Sequence, residues 1–257
     1  MTVTVERSDR AVICTIDDPD GRNALTASTA SELADAFAGL EDTDARCVLV
    51  RGEGETFCAS GDVGAHVGRV RGDLDAKEWR ERLEAVGDAI ATVYDCPLPT
   101  VAAIDGPAFG AGAALALACD LRVASTEGSI GFGFRRFGLA ALSGVSYLLT
   151  RAVGRDAALK LLYTGELVDS SRALELGLFT DLYPADRFAD ELASLLATLS
   201  TGPRAAMIAT KDLLRADYAD LGAALSAEIE TAIQLAGTDD FEDGVTAFAS
   251  EREPRFD

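Results

Sequence analysis

Residues 97–120, PLPTVAAIDGPAFGAGAALALACD, constrain the fold of this chain more than any other stretch. Pro97 and Pro99 end whatever precedes them, because proline lacks an N–H and has a fixed φ. Val101, Ala102, Ala103 and Ile104 then form a short apolar run suited to a buried strand. Asp105, Gly106 and Pro107 demand a turn. Residues 110–114 (GAGAA) carry almost no side-chain volume, and 115–119 continue as an apolar helix. A strand that feeds a bare turn into a buried helix exposes backbone N–H groups at the positive helix terminus. Such a turn can hold an oxygen that is gaining negative charge, or it can be a corner that only permits close packing. Other readings are excluded. The apolar run is too short and too broken by glycine to span a membrane. Gly106, Gly110 and Gly112 lack the dinucleotide-binding spacing, and no Gly-Lys-Ser/Thr follows them.

The chain has 257 residues, enough for one large domain with a real core. Its formal charge of −20 disfavours nucleic acid and anionic membranes as partners. Lysine occurs only at Lys77, Lys160 and Lys211, and a lysine-poor acidic surface suits a protein working in concentrated salt. An acidic protein from a GC-rich genome would look similar. Cys14, Cys47, Cys58, Cys96 and Cys119 lie singly in apolar surroundings, and His66 is the one histidine. Reduced, buried thiols are expected, with no metal site. The N-terminus has no basic segment followed by an apolar one, so a cytoplasmic protein without a signal peptide is expected.

Along the chain, residues 3–16 read as two strands around a turn at Ser8, Asp9 and Arg10. Thr26 or Ser28 can cap a helix running through Leu40. A buried strand is expected at 47–51, a small-residue loop at 57–62 and a mobile segment at 63–75, where Gly64, Gly68 and Gly72 recur. Residues 75–94 have helical spacing, with Trp79, Leu83, Val86 and Ile90 on one face. A strand at 121–124, a Gly/Phe-rich segment at 128–138, helices near 144–153 and 155–163, and a capped helix at 170–177 follow. A strand at 178–183 precedes a long helical tail. The unit of strand, bare turn and helix occurs twice, at 47–62 and 101–119, so two sets of backbone donors can point at one spot. One α/β core with a helical region from about residue 200 is the natural division.

Several segments in this order resemble the crotonase superfamily, the enoyl-CoA hydratase/isomerase family. They are RNAL at 22–25, FCASGD at 57–62, AIDGPAFGAG at 103–112 with Cys119 and Asp120, LTRAVG at 149–154, YTG at 163–165, ALELGL at 173–178 and TAF at 246–248. The resemblance implies an α/β, crotonase-like spiral of ββα repeats over residues 1–199 that binds acyl-CoA. It implies a C-terminal helical region at 200–257 for oligomerisation and pocket closure, in a homotrimer or a dimer of trimers. The ligand would be an acyl-CoA thioester, with coenzyme A as part of the substrate and no separate cofactor. Its carbonyl oxygen would lie between the N–H groups of Gly61 and Ala111. Arg22, Ala24 and Ala59 would line the coenzyme A path beside Gly110, and Arg252 or Arg255 could reach its phosphates. A solvated surface charge is the plainer reading of each arginine.

Family hydratases place one glutamate three residues past the second oxyanion donor and another in the segment before LTRAVG. These positions are Ala114 and Phe134 here. Ordinary hydration is therefore not expected, and isomerase, decarboxylase or lyase chemistry through an enolate is. Decarboxylation asks least, since it generates an enolate without a base. His66 could act as a substitute base, against the plainer reading of a surface histidine on a loop. Asp62 reads as a cap for the following turn. Glu81, Glu84 and Asp88 read as a solvated helical face, and Ser143 and Tyr147 are polar candidates in the altered segment. The rival reading is a catalytically silent acyl-CoA-binding paralogue or assembly subunit.

Overall fold

The computed structural model describes residues 2–18, 20–40 and 43–256. Strands β1 (Val3–Ser8) and β2 (Ala11–Ile16) form an antiparallel hairpin. Its turn residues Asp9 and Arg10 both take positive φ, as a tight hairpin turn between right-twisted strands requires. Helix α1 (Ala27–Phe37) starts where the Thr26 hydroxyl accepts the Thr29 N–H at 3.2 Å. It stops at Phe37, short of Leu40, because Ala38 is extended and Gly39 takes φ +71°.

Strand β3 (Cys47–Gly52) leads through the 57–62 loop into helix α2 (Val63–Arg71). The expectation of a mobile segment at 63–75 is thereby corrected. The Asp62 carboxylate accepts the Ala65 N–H at 2.8 Å, and Gly72 closes the helix at φ +83°. Arg69 and Arg71 sit at its negative end. Helix α3 (Ala76–Asp95) begins with a full capping box between Asp75 and Glu78. Its Val86, Ala89, Ile90 and Val93 face the core, whereas Trp79 and Leu83, one to two turns earlier, overhang a cleft.

The remaining core alternates two sheets. Strand β4 (Thr100–Ile104) is followed by β5 (Pro107–Phe109) and helix α4 (Ala111–Ala118). Strand β6 (Leu121–Ser125) is followed by β7 (Ser129–Gly131), a 3₁₀ turn (Gly133–Phe137), and helices α5 (Val145–Val153) and α6 (Arg155–Thr164). Strand β8 (Leu167–Asp169), helix α7 (Ser170–Glu175) and strand β9 (Asp181–Tyr183) complete it. β9 is shorter than the sequence suggested, because Leu178 and Phe179 turn back to donate their N–H groups to the Ala173 carbonyl. Helices α8 (Phe188–Ser200), α9 (Arg204–Arg215), α10 (Leu221–Leu235) and α11 (Asp239–Ala249) follow.

The larger sheet has the order β1-β2-β3-β4-β6-β9 and is parallel from β2 onward. Core residues of α1, α3 and α4 cover one face. Phe188 and Leu192 of α8 pack on the other against Leu49, Val101 and Val123. Burial on both faces explains why β4 is an unbroken apolar run. The second sheet, β5-β7-β8, continues past its edge through single bridges between Cys58 and Ala108 and between Leu25 and Gly61. Each repeat thus gives one strand to each sheet before its helix, and the 57–62 loop is laid beside the turn before α4.

All five cysteines are buried free thiols. Burial pushes Cys14 and Cys119 up to about 12, and Cys47 and Cys58 up to about 11, from an ordinary 9.0. Between pH 9 and 12 the unfolded chain therefore releases thiol protons that the folded chain keeps, so stability falls with rising pH across that window and is unaffected by these groups below it. Urea midpoints should be flat in this respect up to pH 9 and drop above it. A thiol-specific reagent at pH 8 should find no fast-reacting cysteine until the chain unfolds; one fast thiol in the native protein would contradict the buried assignment.

Candidate active site

The first loop and the 57–62 loop are stitched side by side. Ala59 N–H donates to the Arg22 carbonyl at 3.0 Å, and Leu25 N–H donates to the Ser60 carbonyl at 2.9 Å. The buried Asn23 nails this pair to the core. Its Nδ2 donates to the carbonyls of Glu53 (2.9 Å) and Thr56 (2.7 Å), and its Oδ1 accepts the Asp18 N–H at 2.9 Å. The RNAL segment was noted in the sequence, but this role of Asn23 was not. On the other side, Cys58 exchanges hydrogen bonds with β5, donating to the Pro107 carbonyl and accepting from Phe109 N–H.

The turn into α4 is glycine for steric reasons that can be named. Gly110 takes φ +58° and ψ −116°, a region closed to residues with a Cβ. A Cβ on Gly112 would come within 1.9 Å of the Cys58 carbonyl oxygen. All eight residues of α4 are buried. The packing reading of this turn therefore holds at Gly112. A Cβ built on Gly61 would lie 3.4 Å from the Ala111 Cβ, so the two bare turns meet. Ala111 N–H is the first of its helix and has no intrahelical acceptor. Gly61 N–H donates to no backbone acceptor among the described residues. The two bare turns, one of them opening a helix at its positive terminus, thus lie side by side in the lining of one cleft.

That cleft measures about 630 Å³ out to its open mouth. Gly61, Gly110, Ala111, His66 and Phe134 all line it. Phe134 takes its place from the 3₁₀ turn and is 9% exposed, and Ala114 lies wholly buried in α4. Neither position offers a carboxylate. Asp62, the one carboxylate in the lining, is committed twice: Oδ1 to the cap of α2, and Oδ2 to Arg82 Nη1 at 3.0 Å. Arg82 was not singled out in the sequence. Its charge reads as one more solvated residue on α3 until the helix is laid across the cleft.

His66 reaches the cleft, but its geometry corrects the substitute-base reading. Trp79 Nε1–H donates to His66 Nδ1 at 3.2 Å, and an indole can only donate. The neutral imidazole therefore carries its proton on Nε2 and keeps no lone pair for a substrate. Phe137 packs against the ring at 5.5 Å between centroids. Arg22 is exposed with φ +55°, and Ala24 and Ala59 are half-buried in the stitched loops, outside the cleft lining. Arg252 is also outside the lining. It is paired with Asp243, whose carboxyl it holds below the usual range, and it donates to the Glu253 carbonyl at 3.1 Å. Glu81 and Glu84 are exposed and pair with Lys77 and Arg80. Ser143 lines the cleft, whereas Tyr147 lies outside its lining, with Arg151 stacked 3.4 Å above the ring. Among the described residues no cluster of three His, Cys, Asp or Glu side chains could hold a metal, and no helix is long and apolar enough to cross a membrane.

Residues 6–257 match the family model described as Enoyl-CoA hydratase/isomerase. A Thermus thermophilus protein named "Putative enoyl-CoA hydratase" is 36% identical over 99% of this chain and 100% of its own length. The 2,3-dehydroadipyl-CoA hydratase of Escherichia coli is 30% identical over 98% of this chain and 97% of its own. Among solved structures, an enoyl-CoA hydratase from Polaromonas sp. JS666 superposes with a TM-score of 0.92 at 27% identity, covering 99% of each chain. This chain belongs to the enoyl-CoA hydratase/isomerase family, with the crotonase fold.

Proposed function

We propose that this protein binds an acyl-CoA thioester and stabilises the enolate of its acyl group, in an isomerase, decarboxylase or lyase reaction. The observation that carries this is the meeting of the bare turns at Gly61 and Ala111 in the lining of a cleft, with no carboxylate at Ala114 or Phe134. In this reading, electrons moving onto the thioester oxygen meet two preorganised backbone donors, each worth about 3–4 kcal/mol in the transition state. Loss of CO₂ from the α-carbon is the simplest route: the C–C bond breaks, its electrons form the enolate, and no base is needed. The stitched loops carrying Arg22, Ala24 and Ala59 would run along the coenzyme A, and Arg252 could approach its phosphates only by leaving Asp243. No separate cofactor enters this reading, and a cytoplasmic location fits it.

The test is a panel of CoA thioesters, including crotonyl-CoA, a 3-enoyl-CoA and malonyl-type esters, in molar salt. Turnover of a non-hydratase substrate supports the enolate reading. Binding of several esters with none transformed would instead make the protein a silent acyl-CoA binder.

The same reading makes the protein a homotrimer or a dimer of trimers. Helix α10 buries no residue within this chain, and Leu221, Leu225, Ile229 and Ile233 expose a stripe at four-residue spacing. Light scattering should give three or six times the 26.9 kDa chain mass, and a monomer would refute the assembly.

A further inference from the structure

A chamber that only had to seat a hydrocarbon chain would have no use for an arginine, yet Arg82 lines this one. Around it the lining is largely apolar, with Leu83, Val86, Phe134, Leu139 and Leu142. A guanidinium has five N–H donors in a fixed fork. Asp62 takes one of them at 3.0 Å, and the described residues take no other. Asp62 is itself held by its cap on α2, so the pair fixes where the guanidinium sits and leaves most of its donors free.

His66 adds a second donor to the same wall. Because Trp79 occupies Nδ1, the neutral ring presents Nε2–H, which has no partner among the described residues. The wall is thus rich in donors, and its one carboxylate is already engaged. On a protein of net charge −20, an anionic acyl group is repelled by the overall field and needs local donors to enter.

Position limits what those donors can hold. Asp62 follows Gly61 directly, so covalent reach puts the guanidinium within roughly 11 Å of the Gly61 N–H. A thioester oxygen on Gly61 and a distal group on Arg82 are then only a few carbons apart. We propose that Arg82 and the Nε2–H of His66 recognise a carboxylate at the far end of the acyl group, making this a protein for CoA thioesters of short dicarboxylic acids, of about three to five carbons. The proposal rests on the acyl-CoA reading above and gives that site its selectivity.

Calorimetric titration of the intact protein at matched ionic strength tests it, comparing succinyl-CoA with butyryl-CoA and glutaryl-CoA with pentanoyl-CoA. Each pair has the same carbon count, so coenzyme A contributes equally. The diacid esters should bind at least tenfold more tightly. Arg82→Met should bring the affinity for succinyl-CoA down to that for butyryl-CoA. Asp62→Asn keeps a capping side chain and removes the competing charge, so it should raise diacid affinity. If the Arg82–Asp62 pair were only a latch on α2, both variants would instead weaken every ester alike. Equal binding of diacid and monoacid by the unaltered protein, or equal weakening by Arg82→Met, overturns this proposal alone. No binding of any ester or of free coenzyme A overturns the acyl-CoA reading as well.

Discussion

Crotonyl-CoA is expected to be hydrated by this protein at least about 10⁴-fold more slowly than by relatives that carry both family glutamates. Each positioned acid or base contributes about 10²- to 10⁴-fold, and both positions here are apolar. Water has to be deprotonated as it attacks the β-carbon, and the α-carbon has to receive a proton. Ala114 is a buried methyl and Phe134 a ring, so neither does so. Two of the remaining candidates are engaged: Asp62 holds Arg82 and the α2 cap, and His66 keeps its lone pair on Trp79. On the proposed oxyanion role of Gly61 and Ala111, ester binding and enolate stabilisation should outlast the loss of hydration. Steady-state hydration measured by loss of enoyl absorbance checks this. A rate in the ordinary hydratase range would mean that another group moves both protons.

Asp120→Ala should cost about 3–5 kcal/mol of folding stability, because it strands a buried charge. Lys211 is 8% exposed, and its ammonium donates to Asp120 at 2.6 Å and to the Leu98 carbonyl at 2.8 Å. Asp120 also accepts from Thr100 N–H and Oγ1 and from Arg215 Nη2. This one carboxylate therefore ties the start of β4 and the approach to β6 to helix α9. Removing it leaves Lys211 with a single acceptor and Thr100 N–H with none. At about 2–4 °C per kcal/mol, the melting temperature should fall by roughly 6–20 °C. Urea unfolding at fixed protein concentration measures it, since assembly also contributes. Asp120→Asn retains an acceptor and should cost less. A loss below about 1 kcal/mol would mean that the cluster is dispensable.

Local chemistry was legible before any coordinates. The hairpin of β1 and β2, the buried strand at β4, the cap on α1 and the glycine that follows α7 all follow from neighbouring residues. Residues 63–75 were the failure: Gly64, Gly68 and Gly72 with weak periodicity suggested a mobile segment. The helix forms because Asp62 caps it, Gly72 ends it, and Ala65 finds burial against other parts of the fold. The site divides in the same way. The bareness of both turns is visible in the residues themselves, but their roles are not separable there. Gly112 serves packing against Cys58, whereas Gly61 and Ala111 are the residues to which the proposed donor role falls.

The amino-acid order by itself determined most of the longer elements and put no carboxylate at Ala114 or Phe134, because caps, turns and strand periods act within a few residues of chain. Only the tertiary structure decided that Gly61 comes beside Ala111, that the Trp79 indole occupies the His66 lone pair, and that Arg82 enters the cleft. These are contacts between segments 13 to 50 residues apart. No local preference encodes them, since they exist only once the β3, β4 and α3 units have packed on one another.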